Sequence, residues 1–263
     1  MDILSHLPED YPWKAHLHHF PTIDSTNDRL KAMARQGAPH GTVLVADHQT
    51  AGHGRLGRSF HSPAASGVYF SILLRPGCYP TELMHLTCAA AVAMCDAVEK
   101  AAGFRPGIKW TNDLVFEKKK LGGILTELGF TADGRVDYAI IGIGMNCCQN
   151  AEDFPEDIRS IAGSLAMVTG KSVDRGVVAA AMAYSLYRVS QRLLTDRNTI
   201  LRQYRADCIT IGQEVSLVRG DDIRYGKAVD VDDQGALIVD FQDGHREAVN
   251  SGEVSVRGMY GYV

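Results

Sequence analysis

Between an apolar stretch, Val43-Leu44-Val45-Ala46, and a β-rich run, Gly67-Val68-Tyr69-Phe70-Ser71-Ile72-Leu73-Leu74, the chain inserts Gln49-Thr50-Ala51-Gly52-His53-Gly54-Arg55-Leu56-Gly57-Arg58. Its glycines permit tight turns and leave amide hydrogens open, and its arginines present forked cations that match phosphate oxygens. Such a segment is expected to be a loop between strands that holds an anionic ligand against main chain. The glycines at 52, 54 and 57 also spell G-x-G-x-x-G, the pattern of a dinucleotide-binding turn. That turn needs a strand running straight into it and a helix leaving it. Here the strand stops at Asp47, and Arg58-Ser59-Phe60-His61-Ser62-Pro63 has no helical period. Pro63 further disfavours helix at Ser62, so the dinucleotide reading is disfavoured.

The 263 residues carry a net charge of −4. A broad nucleic-acid surface would make a domain basic, so the cationic loop is a local feature suited to a small anion. None of the six cysteines (Cys78, Cys88, Cys95, Cys147, Cys148, Cys208) forms a C-x-x-C pair. No disulfide framework is expected, which suits a reducing compartment. The N-terminus is no secretory signal, and no run approaching the ~20 apolar residues of a bilayer span is evident, so a cytoplasmic protein without membrane contact is expected.

Strands are expected at 15–20, 42–47 and 67–74, then at Ile108–Trp110, Leu114–Phe116, Leu121–Leu128 and Tyr138–Ile143. A helix should follow Ser25-Thr26-Asn27-Asp28, capped by Ser25 or Thr26 and ended by Gly37. A long apolar helix runs from Thr81, its expected cap, to Ala102, and helical patterns recur over 174–195 and 198–206. From Gly212 the texture changes to four short strands, 215–218, 226–231, 236–241 and 246–249, with turn residues between them. The expected division is 1–211 and 212–263, the second part a small β-barrel.

Four polar clusters abut these strands: Ser25-Thr26-Asn27; Gln49 to Arg58; Lys109-Trp110-Thr111-Asn112-Asp113 with Lys120-Leu121-Gly122-Gly123; and Gly142-Ile143-Gly144-Met145-Asn146. A lysine at a strand's mouth beside glycines reaches a ligand without obstruction. Each cluster also has a plain structural reading: a helix cap, a solvated hairpin at Lys118-Lys119-Lys120, a bulge at Gly142 and Gly144. Gly170-Lys171-Ser172 lacks the glycine a phosphate loop requires at position 165, and His16, His18 and His19 have no acidic or cysteine partner at ligand spacing.

In order and spacing, the clusters resemble the biotin protein ligases. That family carries an S-T-N segment, a Q-T-A-G-R-G-R-x-G-R loop, K-W-P-N-D, a K-L-x-G-I-L strand and G-x-G-x-N. The resemblance spans roughly residues 17–250. It implies an α/β (α+β) fold: a catalytic domain with a mixed β-sheet and helices packed on one side, then an SH3-like C-terminal β-barrel. It implies that ATP activates biotin to biotinyl-5′-AMP, with Mg2+ carried mainly by the substrate phosphates, before biotin passes to a lysine of a biotin carboxyl carrier protein. The implied biotin contacts are Ser25, Thr26, Asn27, Gln49, Gly52, His53, Gly54, Arg55, Lys120, Gly122, Gly123 and Gly142. The implied nucleotide contacts are Arg55, Arg58, Phe60, Lys109, Trp110, Asn112, Lys120, Gly144 and Asn146. Lys120, Arg55, Arg58 and Asp113 are the implied catalytic set, with Asp113 either orienting the incoming amine or assisting magnesium.

Three positions depart from the family pattern: His53 for arginine, Thr111 for proline and Phe60 for a tryptophan expected to lie against adenine. A phenyl ring stacks with less area. Repressor-type members carry an N-terminal DNA-binding module, and some fourteen residues precede the first expected strand here. No DNA binding is expected. Lipoate or octanoate ligases and transferases share the fold, and a non-catalytic adenylate sensor is the alternative of another class.

Overall fold

The computed structural model describes residues 1–219, 222–250 and 253–256. The chain forms β1 (Leu17–Phe20), α1 (Thr26–Arg35), β2 (Val43–Ala46), β3 (Gly67–Leu74), α2 (Leu86–Ala102), β4 (Gly107–Lys109), β5 (Asp113–Phe116), β6 (Lys119–Phe130) and β7 (Val136–Asn146). It continues through α3 (Glu156–Arg159), α4 (Leu165–Thr169), α5 (Arg175–Ser190) and α6 (Arg197–Asp207). The last strands are β8 (Glu214–Arg219), β9 (Asp222–Val231), β10 (Leu237–Phe241), β11 (Arg246–Val249) and β12 (Glu253–Val256).

The first seven strands make one mixed sheet in the order β1-β2-β3-β7-β6-β5-β4. Only β1 and β2 run parallel; the other neighbours are antiparallel. Alternation along the strands sorts their side chains onto two faces. Val68, Phe70, Ile72 and Leu74 of β3, with Ala139, Ile141, Ile143 and Met145 of β7, join the main core with α2 and α5. Leu73, Tyr138 and Ile140 point the other way, where Leu30 and Ala34 of α1 cover them. Burying one such large apolar side chain contributes about 1.5–3 kcal/mol, so both coverings are strongly favoured. The long helices thus lie on one face, as the resemblance implies, with α1 added on the other. Over Gly142 and Gly144, that second face bounds a cavity.

Several expected boundaries shift. Thr81 does not cap α2: Pro80–Glu82 is a separate 3-10 turn, closed by Tyr79 N–H donating to Glu82 Oε2 (2.8 Å), and the helix starts at Leu86. Within Pro80–Ala102, 23 residues, an 18-residue window reaches mean hydropathy 1.2, so by length and composition the segment could cross a bilayer, which corrects the expectation of no such run; 72% of that window is buried inside the protein. Its small alanines and cysteines raise hydropathy while letting α5 approach closely. Gly142 and Gly144 mark no bulge; they pair in register with Ser71 and Tyr69, and β7 runs on to Asn146.

Among the described residues, the C-terminal strands form an antiparallel sheet in the order β11-β10-β9-β8-β12, five strands where four were expected, and β9 begins at Asp222 rather than Gly226. This sheet docks on the first. Trp110 Nε1–H donates to Gly235 O (3.0 Å), Lys109 Nζ to Val254 O (2.8 Å), and Arg205 Nε to Val231 O (2.6 Å). Gly235 has φ +88°, and a Cβ there would lie 2.8 Å from Cys88 Sγ, so only glycine lets this turn reach α2.

Candidate active site

A cavity of about 580 Å³ opens on the α1 face of the large sheet. One end is built from neutral hydrogen-bonding groups. Ser25 caps α1, its Oγ accepting from Asp28 N–H (3.3 Å), and so turns Thr26 and Asn27 into the protein. Gln49 Oε1 accepts from both Thr26 N–H (2.8 Å) and Thr26 Oγ1 (3.0 Å), while its Nε2 lies 3.3 Å from Ser62 Oγ. Ser71 Oγ sits 2.7 Å from Thr26 Oγ1 and 2.6 Å from Asn27 Oδ1. Asn27 lies flat on Gly142, where a Cβ would fall 2.0 Å from its Oδ1.

The other end is cationic. The 49–60 segment folds over as a narrow flap: Gly54 N–H donates to Arg58 O (2.7 Å) and Phe60 N–H to Gly52 O (2.9 Å). Its tip is a 3-10 turn, Arg55–Gly57, with Gly57 at φ +71°. From this tip Arg55 Nη1 donates to Asn112 Oδ1 (3.0 Å), and Asn112 Nδ2 donates to Ile124 O (2.9 Å), so Asn112 ties the flap to β6. Phe60 lies against Gly144, where a Cβ would be 2.3 Å from the ring.

Lys120 faces the cavity with its ammonium 2.7 Å from Asp113 Oδ1. Its backbone is pinned too: Lys120 N–H donates to Ile161 O (2.7 Å) and Gly163 N–H to Lys120 O (2.9 Å). Lys120 and Gly123 are three residues apart, an odd spacing that would normally place them on opposite faces. A register shift resolves this: Val115 pairs with Lys120 and Leu114 with Gly122, leaving Leu121 as the extra residue of a bulge. Leu121 enters the core, and Gly123 returns to the cavity face, 3.4 Å (from its ideal Cβ) to Lys120 Cε.

Most expected site residues therefore share one cavity: Ser25, Thr26, Asn27, Gln49, His53, Gly54, Arg55, Arg58, Phe60, Lys109, Trp110, Asn112, Asp113, Lys120, Gly123, Gly142, Gly144 and Asn146 line it. Two do not. Gly122 turns from the cavity toward Met145, because the bulge sets it on the core face. Gly52 lies at the flap's base, its ideal Cβ 2.6 Å from Ser62 Oγ. Lys109 lines the cavity while giving its ammonium to Val254 O, and Asn146 directs Nδ2 to Gly163 O (2.9 Å).

Residues not anticipated from the sequence also line it: Leu125, Phe154, Asp157, Ile158, Ala162 and Val254. Leu125 closes the K-L-x-G-I-L strand; the segments of the others carry no motif. Ile158 and Ala162 reach the site because the chain after Asn146 folds back beside Lys120.

Beside the neutral end, Asn27 Nδ2 donates to Glu127 Oε2 (2.8 Å), and Lys31 Nζ bonds Glu127 Oε1 (2.8 Å) and Asp28 Oδ1 (2.7 Å). Burial opposes ionisation of Asp28, but the Lys31 hydrogen bond and charge outweigh it and hold the carboxyl below the ordinary range. For Lys31 burial also opposes charge, and its two carboxylate partners raise it above the ordinary value. Among the described residues no three His, Cys, Asp or Glu side chains cluster as a metal cage.

The profile of the Biotin/lipoate A/B protein ligase family matches residues 19–146, and that of the Biotin protein ligase C terminal domain matches 210–257. The Bifunctional ligase/repressor BirA of Bacillus subtilis is 36% identical over 230 residues, covering 87% of this chain and 70% of the relative. The Biotin--[acetyl-CoA-carboxylase] ligase of Mycobacterium tuberculosis is 34% identical over 240 residues, covering 88% of this chain and 85% of that one. A solved biotin protein ligase from Aquifex aeolicus, in complex with biotin and ATP, superposes with TM-score 0.78 at 31% identity, covering 92% of this chain and 98% of that one.

Proposed function

Since this chain belongs to the biotin/lipoate A/B protein ligase family and is a biotin protein ligase within it, we propose that its cavity holds biotin at the Ser25–Gln49 end and ATP at the Arg55–Lys120 end. One observation carries this assignment: the cations Arg55, Arg58, Lys109 and Lys120 and a set of neutral hydrogen-bonding side chains line a single cavity. An uncharged ureido ring suits the neutral end. A carboxylate and a triphosphate suit the cationic end.

In the first half-reaction a biotin carboxylate oxygen attacks the α-phosphorus of ATP. The bond from that phosphorus to the bridging oxygen breaks, and pyrophosphate leaves. Both reactants are anions, so charge repulsion is the principal barrier, and preorganised cations lower it. Lys120 is held by Asp113 and Arg55 by Asn112 before substrate arrives, so their charges need little reorganisation. In the second half-reaction a carrier-protein lysine attacks the acyl carbon as a neutral amine. It loses a proton, and AMP departs with the anhydride oxygen. The role of Asp113, receiving the acceptor amine or assisting magnesium, requires its carboxylate to leave or share Lys120.

Magnesium is proposed to enter with the triphosphate. Asp113 and Asp157 are the carboxylates among the cavity lining, which suits a metal held mainly by substrate phosphates. When bound, it neutralises phosphate charge. The acceptor is proposed to be a biotin carboxyl carrier protein.

Pyrophosphate release from ATP in the presence of biotin tests the reading. Release that depends on biotin, with no comparable stimulation by lipoate, is expected. No biotin-dependent release, or stronger stimulation by lipoate, would overturn it. The neutral hydrogen-bonding set favours biotin, since lipoate's dithiolane ring offers no strong donor or acceptor.

A further inference from the structure

We propose that Glu127 is a positioning residue for biotin, acting through Asn27; the assignment rests on the ligase reading above. Glu127 is not part of the cavity wall, whereas Asn27 is, with 5% of its surface exposed. A carboxamide turned over by half a rotation exchanges donor and acceptor, so a binding site that uses one must fix which way it faces. Here the Glu127 carboxylate fixes it. An ionised glutamate only accepts, so Glu127 Oε2, 2.8 Å away, selects the Asn27 NH2 group. Ser71 Oγ, 2.6 Å from Oδ1 on the other side, donates to the oxygen so placed. Gly142 beneath, with no side chain, leaves the space in which the amide plane lies.

The Glu127 carboxylate is itself held. Its second oxygen meets Lys31 Nζ at 2.8 Å, and Lys31 is shared with Asp28 at 2.7 Å. The lysine offsets the negative charge that would otherwise stand beside the neutral end of the cavity. What remains for a ligand is one Asn27 N–H and one lone pair on its oxygen. A ureido ring, with N–H and C=O along one edge, is matched to that pair.

The competing interpretation is that Glu127 and Lys31 only clamp α1 to β6. A double-mutant cycle on the full chain separates the two. Biotin affinity is measured by calorimetry for the unaltered chain, Glu127→Leu, Asn27→Ala and the double variant, with turnover from pyrophosphate release. Glu127→Leu is expected to weaken biotin binding about tenfold, the scale of losing a charge-assisted hydrogen bond that orders a buried amide. Turnover at saturating biotin should stay within about twofold, since the Lys120 end is untouched. Glu127→Gln, which keeps an acceptor oxygen, should fall between. In the Asn27→Ala background Glu127→Leu should add nothing. An equal loss in both backgrounds, or no loss in the unaltered one, overturns the proposal and leaves the ligase reading standing. If Glu127→Leu does not fold, Glu127→Gln supplies the cycle under the same criteria. Failure of the unaltered chain to bind biotin would sink the ligase reading, and this assignment with it.

Discussion

Gly142 and Gly144 carry no chemistry, yet two side chains lining the cavity lie where their Cβ atoms would be. At Gly142 an ideal Cβ falls 2.0 Å from Asn27 Oδ1, and at Gly144 one falls 2.3 Å from the Phe60 ring. Both contacts are well inside van der Waals separation, and Asn27 has no alternative position because Ser71 and Glu127 hold it. Gly142→Ala should therefore cost at least about tenfold in biotin affinity by calorimetry, with the protein still folded, because a displaced polar group loses its partners. An alanine variant that binds as the unaltered chain does would show that Asn27 has room to move. The identity of these residues was legible in the sequence; which of two adjacent glycines faces the ligand was not. Gly122 and Gly123 differ only through the bulge at Leu121, and a bulge on one strand is defined by its pairing with another.

At the level of elements, the flap was legible as a loop because its glycines and arginines are contiguous in sequence. What anchors it was not, since Asn112 lies on a distant turn and reads equally well as a ligand contact. The returning segment at Phe154–Ala162 was opaque for a different reason: it contributes scattered side chains, Phe154, Asp157, Ile158 and Ala162, and backbone, with no motif among them. The Arg55–Asn112 bond is the described side-chain link from the flap's tip to the sheet. Arg55→Gly removes that link and one of the cations together. Retention of biotinyl-5′-AMP should weaken by about 1.5–3 kcal/mol, the range for hydrogen bonds to charged groups. The dissociation rate of the adenylate, followed by rapid dilution, should rise by one to two orders of magnitude on that estimate. A variant with an unchanged off-rate would dissociate Arg55 from retention.

At the scale of the whole molecule, the α/β layering and the C-terminal change to short strands follow from hydrophobic period and turn residues. Strand β12 does not, because it pairs with β8 rather than with its sequence neighbour β11, and the docking of the two sheets does not, because Lys109 meets Val254 and Trp110 meets Gly235 from more than a hundred positions away. Near that junction His85, fully buried, donates from Nε2 to Leu193 O (2.9 Å). Burial pushes its pKa below 6.5, with the Leu193 carbonyl opposing only in part, and burial lowers His40 likewise. As pH falls below 6.5 the unfolded chain takes up protons that the folded protein refuses, so stability declines until the folded-state values are passed. Each histidine contributes a slope of up to about 1.4 kcal/mol per pH unit in that window. Thermal midpoints should fall between neutral pH and pH 5.5 or so, and His85→Gln, which can keep the bond to Leu193, should flatten the decline. Parallel profiles for the two proteins would remove His85 from the account.

The bond from Lys109 to Val254 has a consequence for how this enzyme can be rebuilt. Val254 belongs to the smaller lobe but forms part of the chamber in the larger one. Trimming the protein to its first lobe would breach that chamber as well as discard an appendage, and grafting a foreign tail would succeed only where its last strand offers a carbonyl to the same lysine.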